Sequence, residues 1–236
     1  MVHRDFFHEC GGFFEEYKNG FEDLDLCVQI RRRGGTLQCI PESRIYHLEG
    51  QSQGRKDFDE QNSQLFTKRC GQDVYTDIHQ YALRDGFEVF VSDLLTVGVK
   101  LKEKDELRLV SEAQNKDAVT WLHLARENPL WIRGREVLAQ SLEQAGQFDQ
   151  AADLRAELSQ IEPTLPRYRE LLRLAPHLQD KSGLDVVERH MQTMLRFRSD
   201  ASFAEAFVNE ARQRFKPGGD PFLEVLYTKK LHDISA

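Results

Sequence analysis

Three carboxylates fall within four residues at Glu22, Asp23 and Asp25. Carboxylates are among the groups that take a proton from a reacting hydroxyl, so a set this dense can supply a general base and the acids that orient its substrate. The same residues also suit the first turn of a helix, where each negative charge is worth about 0.3–1 kcal/mol through the helix dipole. Taken alone the triplet reads as a helix start. Its flanks are what bring in chemistry: Gly11-Gly12-Phe13 lies upstream, and Tyr46-His47-Leu48 lies downstream.

The elements around the triplet can be read from periodicity and punctuation. Val2, Phe6, Phe7 and Cys10 predict a short amphipathic helix over 2–10, ended by Gly11-Gly12, which accept positive φ at low cost. A helical pattern begins almost at the first residue, as though sequence preceded it. Residues 22–33 predict a second helix, with acids in the first turn, Arg31 to Arg33 in the last, and Gly34-Gly35 as its stop. Alternation over 36–40 predicts a strand that Pro41 breaks, and 44–48 a second extended piece. A further helix is expected over 57–70. The runs 87–91 and 97–101 alternate again and could pair as a hairpin.

Beyond residue 103 the composition turns to Leu, Ala, Glu, Gln and Arg, and a repeat emerges. Pro129 and Pro163 stand 34 residues apart, and Leu138, Ala139, Leu142, Gly146, Ala151 and Leu158 fall where a helix-turn-helix unit of that length needs small or apolar residues. This stretch resembles a tetratricopeptide repeat, with Arg135 and Arg155 at positions where that family prefers large apolar side chains. Residues 107–129 read as part of another unit, 166–200 as a degenerate third, and 221–232 as a final helix.

The chain of 236 residues has a formal charge of -7, which argues against nucleic acid as a partner. Cys10, Cys27, Cys39 and Cys70 form no Cys-x-x-Cys pair and read as reduced thiols of a cytoplasmic protein. No apolar run reaches the roughly 20 residues of a transmembrane helix, so no transmembrane segment is expected. A peripheral place at the inner membrane face is compatible with this.

The linked series Gly11-Gly12-Phe13, Phe21-Glu22-Asp23-Leu24-Asp25, Arg32-x-Gly34, Ile40-Pro41-Glu42 and Tyr46-His47-Leu48-Glu49-Gly50 resembles the second half of a family 2 glycosyltransferase over about residues 1–70. The resemblance implies part of a GT-A, Rossmann-like fold and transfer of a sugar, with inversion, from a nucleotide-sugar donor to a glycan or other hydroxyl acceptor. It makes Asp23 the general base, aided by Glu22, and puts Gly11, Gly12, Phe13 and Asp25 on the acceptor side. His47 matches a histidine that in some relatives helps hold a divalent metal, Mn or Mg, on the donor diphosphate. A strand-end residue bonded to backbone is the alternative for it. Phe14 and Gln29 depart from the family's usual Asp and Arg, which bears on the choice of acceptor. No Asp-x-Asp motif and no nucleotide-binding half precede Gly20, so the chain is expected to bind no metal and to be inactive alone.

The fold class expected is therefore α+β and mostly helical: a partial transferase segment over 1–103, then an α-helical, tetratricopeptide-like region over 104–236. The alternative function is a helical-repeat module that binds a protein partner and carries a vestigial transferase segment.

Overall fold

The structure, a computed structural model, describes residues 1–40, 42–43 and 57–235. The chain forms two compact units, Met1–Tyr75 and Thr76–Ala236. It is mostly helical, and the one sheet among the described residues has two strands.

In the first unit, α1 spans Arg4–Glu9, α2 spans Glu22–Arg32 and α3 spans Asp59–Cys70. Helix α1 stops where Gly11 and Gly12 both adopt positive φ, and α2 stops at Gly34, again with positive φ. Helices α1 and α2 share a small core, in which buried Cys10, Leu26 and Ile30 pack with Phe6 and Phe7. Gly35 closes this core because a Cβ there would come within 2.7 Å of Ile30.

The alternation over 36–40 does not yield a strand. That segment carries no regular structure, and Leu37 and Ile40 are 49% and 56% exposed. A strand requires a partner for its backbone N–H and C=O groups, and no strand among the described residues of this unit offers one. The companion extended piece at 44–48 lies outside the described residues.

The second unit opens with α4 (Ile78–Arg84), followed by an antiparallel hairpin of β1 (Glu88–Val91) and β2 (Val97–Lys100). Eight helices follow: α5 (Glu103–Ala113), α6 (Ala118–Glu127), α7 (Ile132–Gln144), α8 (Phe148–Ile161), α9 (Leu165–Leu174), α10 (Leu184–Ser199), α11 (Ala201–Arg212) and α12 (Pro221–Ser235). The hairpin belongs with these helices. Val91 and Leu95 are buried in one cluster with Phe197, Val208, Leu223 and Tyr227, so the compact units part at Tyr75 rather than at the compositional change near residue 103. The change in composition marks where helix formers begin, whereas the cores are divided by what the hairpin's apolar side chains touch.

Polar ties reinforce this arrangement. Buried Asp93, in the hairpin turn, accepts the Leu165 backbone N–H at 2.9 Å, which starts α9, and pairs with Arg198 and Lys230. Buried His79 of α4 donates its Nε2–H to Asp220 at 2.9 Å, and the other Asp220 oxygen accepts the Leu223 N–H in the first turn of α12.

The pair α7 and α8 is a helical hairpin turned at Gly146, whose φ of +72° suits a residue without a Cβ. Ala139 and Ala151 are fully buried, as close helix packing requires. Arg135 and Arg155, the two departures from the repeat pattern, are also buried, and each is satisfied. Arg135 donates to Glu157 at 2.8 Å and to the carbonyls of Asn128 and Trp131, while Arg155 pairs with Glu143 at 2.8 Å. Glu143 in turn holds Arg173 of α9. Ion pairs thus occupy buried positions of this helical hairpin, and each must stay paired to offset its desolvation.

Candidate functional site

A cleft of about 530 Å³ opens in the first unit, lined by Gly11, Gly12, Phe13, Phe14, Asp25, Gln29 and Arg69, with Cys10, Glu15 and Glu16 completing it. Four residues expected on the acceptor side, Gly11, Gly12, Phe13 and Asp25, therefore share one wall system. Phe13 is 52% exposed, and Gly12 approaches the Phe7 ring so closely that a Cβ would lie 3.3 Å from it.

Asp25 forms the floor. It is 2% exposed, and its two oxygens accept from Tyr17 Oη at 2.9 Å, Gln29 Nε2 at 3.1 Å, and Arg69 Nε and Nη2 at 2.7 and 3.4 Å. Burial works against its charge, but the Arg69, Tyr17 and Gln29 hydrogen bonds outweigh it and hold the carboxyl below the usual range. The same burial, with the Asp25 carboxylate beside it, raises the Tyr17 hydroxyl and pushes the Cys70 thiol up to about 11. Arg69 also lies 3.4 Å over the Phe14 ring, a cation–π contact. Phe14 thus contacts the arginine of this ion pair, and Gln29 its carboxylate.

Glu22 and Asp23 sit outside the cleft lining, on the first turn of α2. Asp23 is exposed, and its Oδ1 accepts the Leu24 N–H at 2.9 Å. Glu22 is half-buried. The turn that carries them is held firmly from behind. Asn62 of α3, 1% exposed, receives the Lys18 N–H and donates to the carbonyls of Lys18 and Gly20. Phe21, immediately before Glu22, takes a φ of +75°, a costly conformation for a bulky residue. Its ring stacks on Tyr17 and meets Phe66, contacts that offset the strain.

Sequence reasoning passed over Tyr17, Asn62 and Arg69. Asn62 and Arg69 lie more than 35 residues downstream of the carboxylates, on α3, and the one signal for them was polar residues on the apolar stripe of a helix. His47, expected as a metal ligand, lies outside the described residues. Among the described residues no three His, Cys, Asp or Glu side chains converge in a way that could hold a metal ion. No helix among the described residues is long and apolar enough to cross a membrane.

No protein-family model matches the chain, and neither the curated proteins nor the solved structures provide a match.

Proposed function

We propose that the first unit is the acceptor side of an inverting sugar transferase, with Asp23 as the general base. The observation that supports it is the division of labour among the three carboxylates. Asp25 is buried and occupied by four hydrogen bonds, so it is a structural acid that shapes the cleft. Asp23 is the exposed one, at the start of a helix whose entry is clamped by Asn62. Glu22 stands next to it and orients the acceptor.

In the proposed reaction Asp23 takes the proton of an acceptor hydroxyl as that oxygen attacks the anomeric carbon. The new carbon–oxygen bond forms on one face while the bond to the nucleoside diphosphate breaks on the other, and the diphosphate leaves with the electron pair. The configuration inverts. The test is nucleoside-diphosphate release from a panel of UDP-, GDP- and dTDP-sugars by the full-length protein. Asp23→Asn is expected to lower transfer by a factor of about 10² or more, the scale of a lost general base, with donor binding and thermal stability unchanged. Turnover retained by that variant rejects the assignment.

A second reading, compatible with the first, is that the helical unit is an interaction arm. It is favoured by the α7–α8 hairpin, with Ala139 and Ala151 fully buried at repeat spacing. The intact chain is then expected to self-associate in sedimentation velocity or to retain a defined partner on affinity capture. A monomer that retains nothing counts against it.

A further inference from the structure

A groove of about 740 Å³ runs between α8, α9 and α10 in the second unit. Its floor is apolar, made by Ala152, Leu171 and Val187, and Val186 stands 39% exposed at its side. Tyr168 and His190 close one end, joined by a 3.0 Å hydrogen bond. The rim is acidic.

The rim carboxylates differ in what they do for the fold. Asp149 receives the Gln179 N–H at 3.0 Å, and Asp180 receives the Ser182 N–H and hydroxyl, so both have structural work. Asp153 is exposed, and no hydrogen bond or ion pair engages it among the described residues. No lysine or arginine lines the groove, although arginines are plentiful elsewhere on these helices. A mostly apolar trough whose lining carries three carboxylates and no lysine or arginine favours a ligand with the opposite pattern. Its volume lies within the range of roughly 300–1,000 Å³ typical of ligand sites, enough for several side chains rather than one.

We propose that this groove docks a basic amphipathic peptide segment of a partner protein, its apolar side chains on the Leu171–Val187 floor and its lysines or arginines against Asp153 and the neighbouring rim. The assignment rests on the interaction-arm reading and is independent of sugar transfer. Helix-in-groove recognition works in this way, with apolar anchors giving affinity and charge giving orientation.

The probe is a fluorescein-labelled helical peptide of leucines and lysines at amphipathic spacing, titrated with the full chain by fluorescence anisotropy. A peptide with glutamates replacing the lysines is the charge control. Asp153→Lys and Val186→Glu alter the groove, while Glu205→Lys, on an exposed position of α11 outside the lining, makes the same charge change as Asp153→Lys. Circular dichroism confirms that each variant is folded. The groove predicts saturable binding that weakens about five-fold or more in Asp153→Lys and in Val186→Glu, and less than about two-fold in Glu205→Lys. Equal weakening by Asp153→Lys and Glu205→Lys would mean diffuse attraction to an acidic chain and overturns the proposal. Absence of saturable binding, or equal binding of the glutamate peptide, overturns it too. In either case the interaction arm stands or falls on the sedimentation and capture result.

Discussion

Replacement of Asp93 by alanine is expected to destabilise the second unit by about 3–5 kcal/mol, the cost of leaving a buried ionic partner uncompensated. Asp93 is 6% exposed, and the Lys230 side chain that pairs with it is only 18% exposed, so the ammonium cannot easily turn to water. The Leu165 N–H at the start of α9 loses its acceptor in the same variant. Both tryptophans, Trp121 and Trp131, lie in this unit and stack 5.3 Å apart, so tryptophan fluorescence during denaturant unfolding follows it selectively. A midpoint unchanged in Asp93→Ala refutes the role. The effect depends on pH with a definite sign. Burial opposes the Asp93 charge, but Lys230, the Leu165 N–H and Arg198 lower its pKa below the ordinary value. Its contribution is therefore complete above the unfolded value of about 3.9 and fades as pH falls from there toward the folded value. The gap between wild type and variant will narrow below about pH 4.

Asp25→Ala is expected to loosen the first unit by about 3 kcal/mol, the low end of the same range. The difference arises from Arg69, whose side chain is 31% exposed and can relax into solvent when its partner is lost. Tyr17 cannot do so, being 7% exposed. Cys70 provides a direct readout because it is fully buried next to Asp25, so alkylation of its thiol reports opening. Labelling of Cys70 is expected to accelerate about a hundred-fold in Asp25→Ala, the ratio that corresponds to about 3 kcal/mol, while Asp23→Asn leaves it unchanged. Equal labelling of Cys70 in both variants would contradict the distinction drawn between the two acids. This unit also has an alkaline limit. Tyr17 and Cys70 both have raised values in the fold, so their contribution is complete below the ordinary phenol and thiol values and is lost as pH rises beyond them.

The helices with clear punctuation were legible in the sequence. The expected helix over 22–33 is α2, the one over 57–70 is α3 from Asp59, and the final helix starts at Pro221 as read. The runs 87–91 and 97–101 do pair as a hairpin, with Val89 opposite Val99. In each case local signals agree with the fold: acids and bases at the right helix ends, glycine stops, or alternation with a partner close in sequence. The strand over 36–40 had the pattern without a described partner, and pattern alone forms no ladder. Helix α4 passed unread because seven residues are too few to show a period. At the candidate site, the residues near the carboxylates in sequence were legible and those brought by α3 were not. Arg69 and Asn62 meet the loop across a tertiary contact, and nothing local to Arg69 announces that its partner is Asp25.

The Asp93 tie has a consequence for the order of events during synthesis. Its partners lie 72, 105 and 137 residues farther along the chain. At a translation rate of about 5–20 residues per second, Lys230 is made roughly 7–27 s after Asp93. Throughout that interval the hairpin turn carries an acid whose final cation does not yet exist, so the turn stays hydrated and the second unit locks late. A ribosome stalled before α12 would hold a nascent chain in which the hairpin is formed and still open to proteases and chaperones.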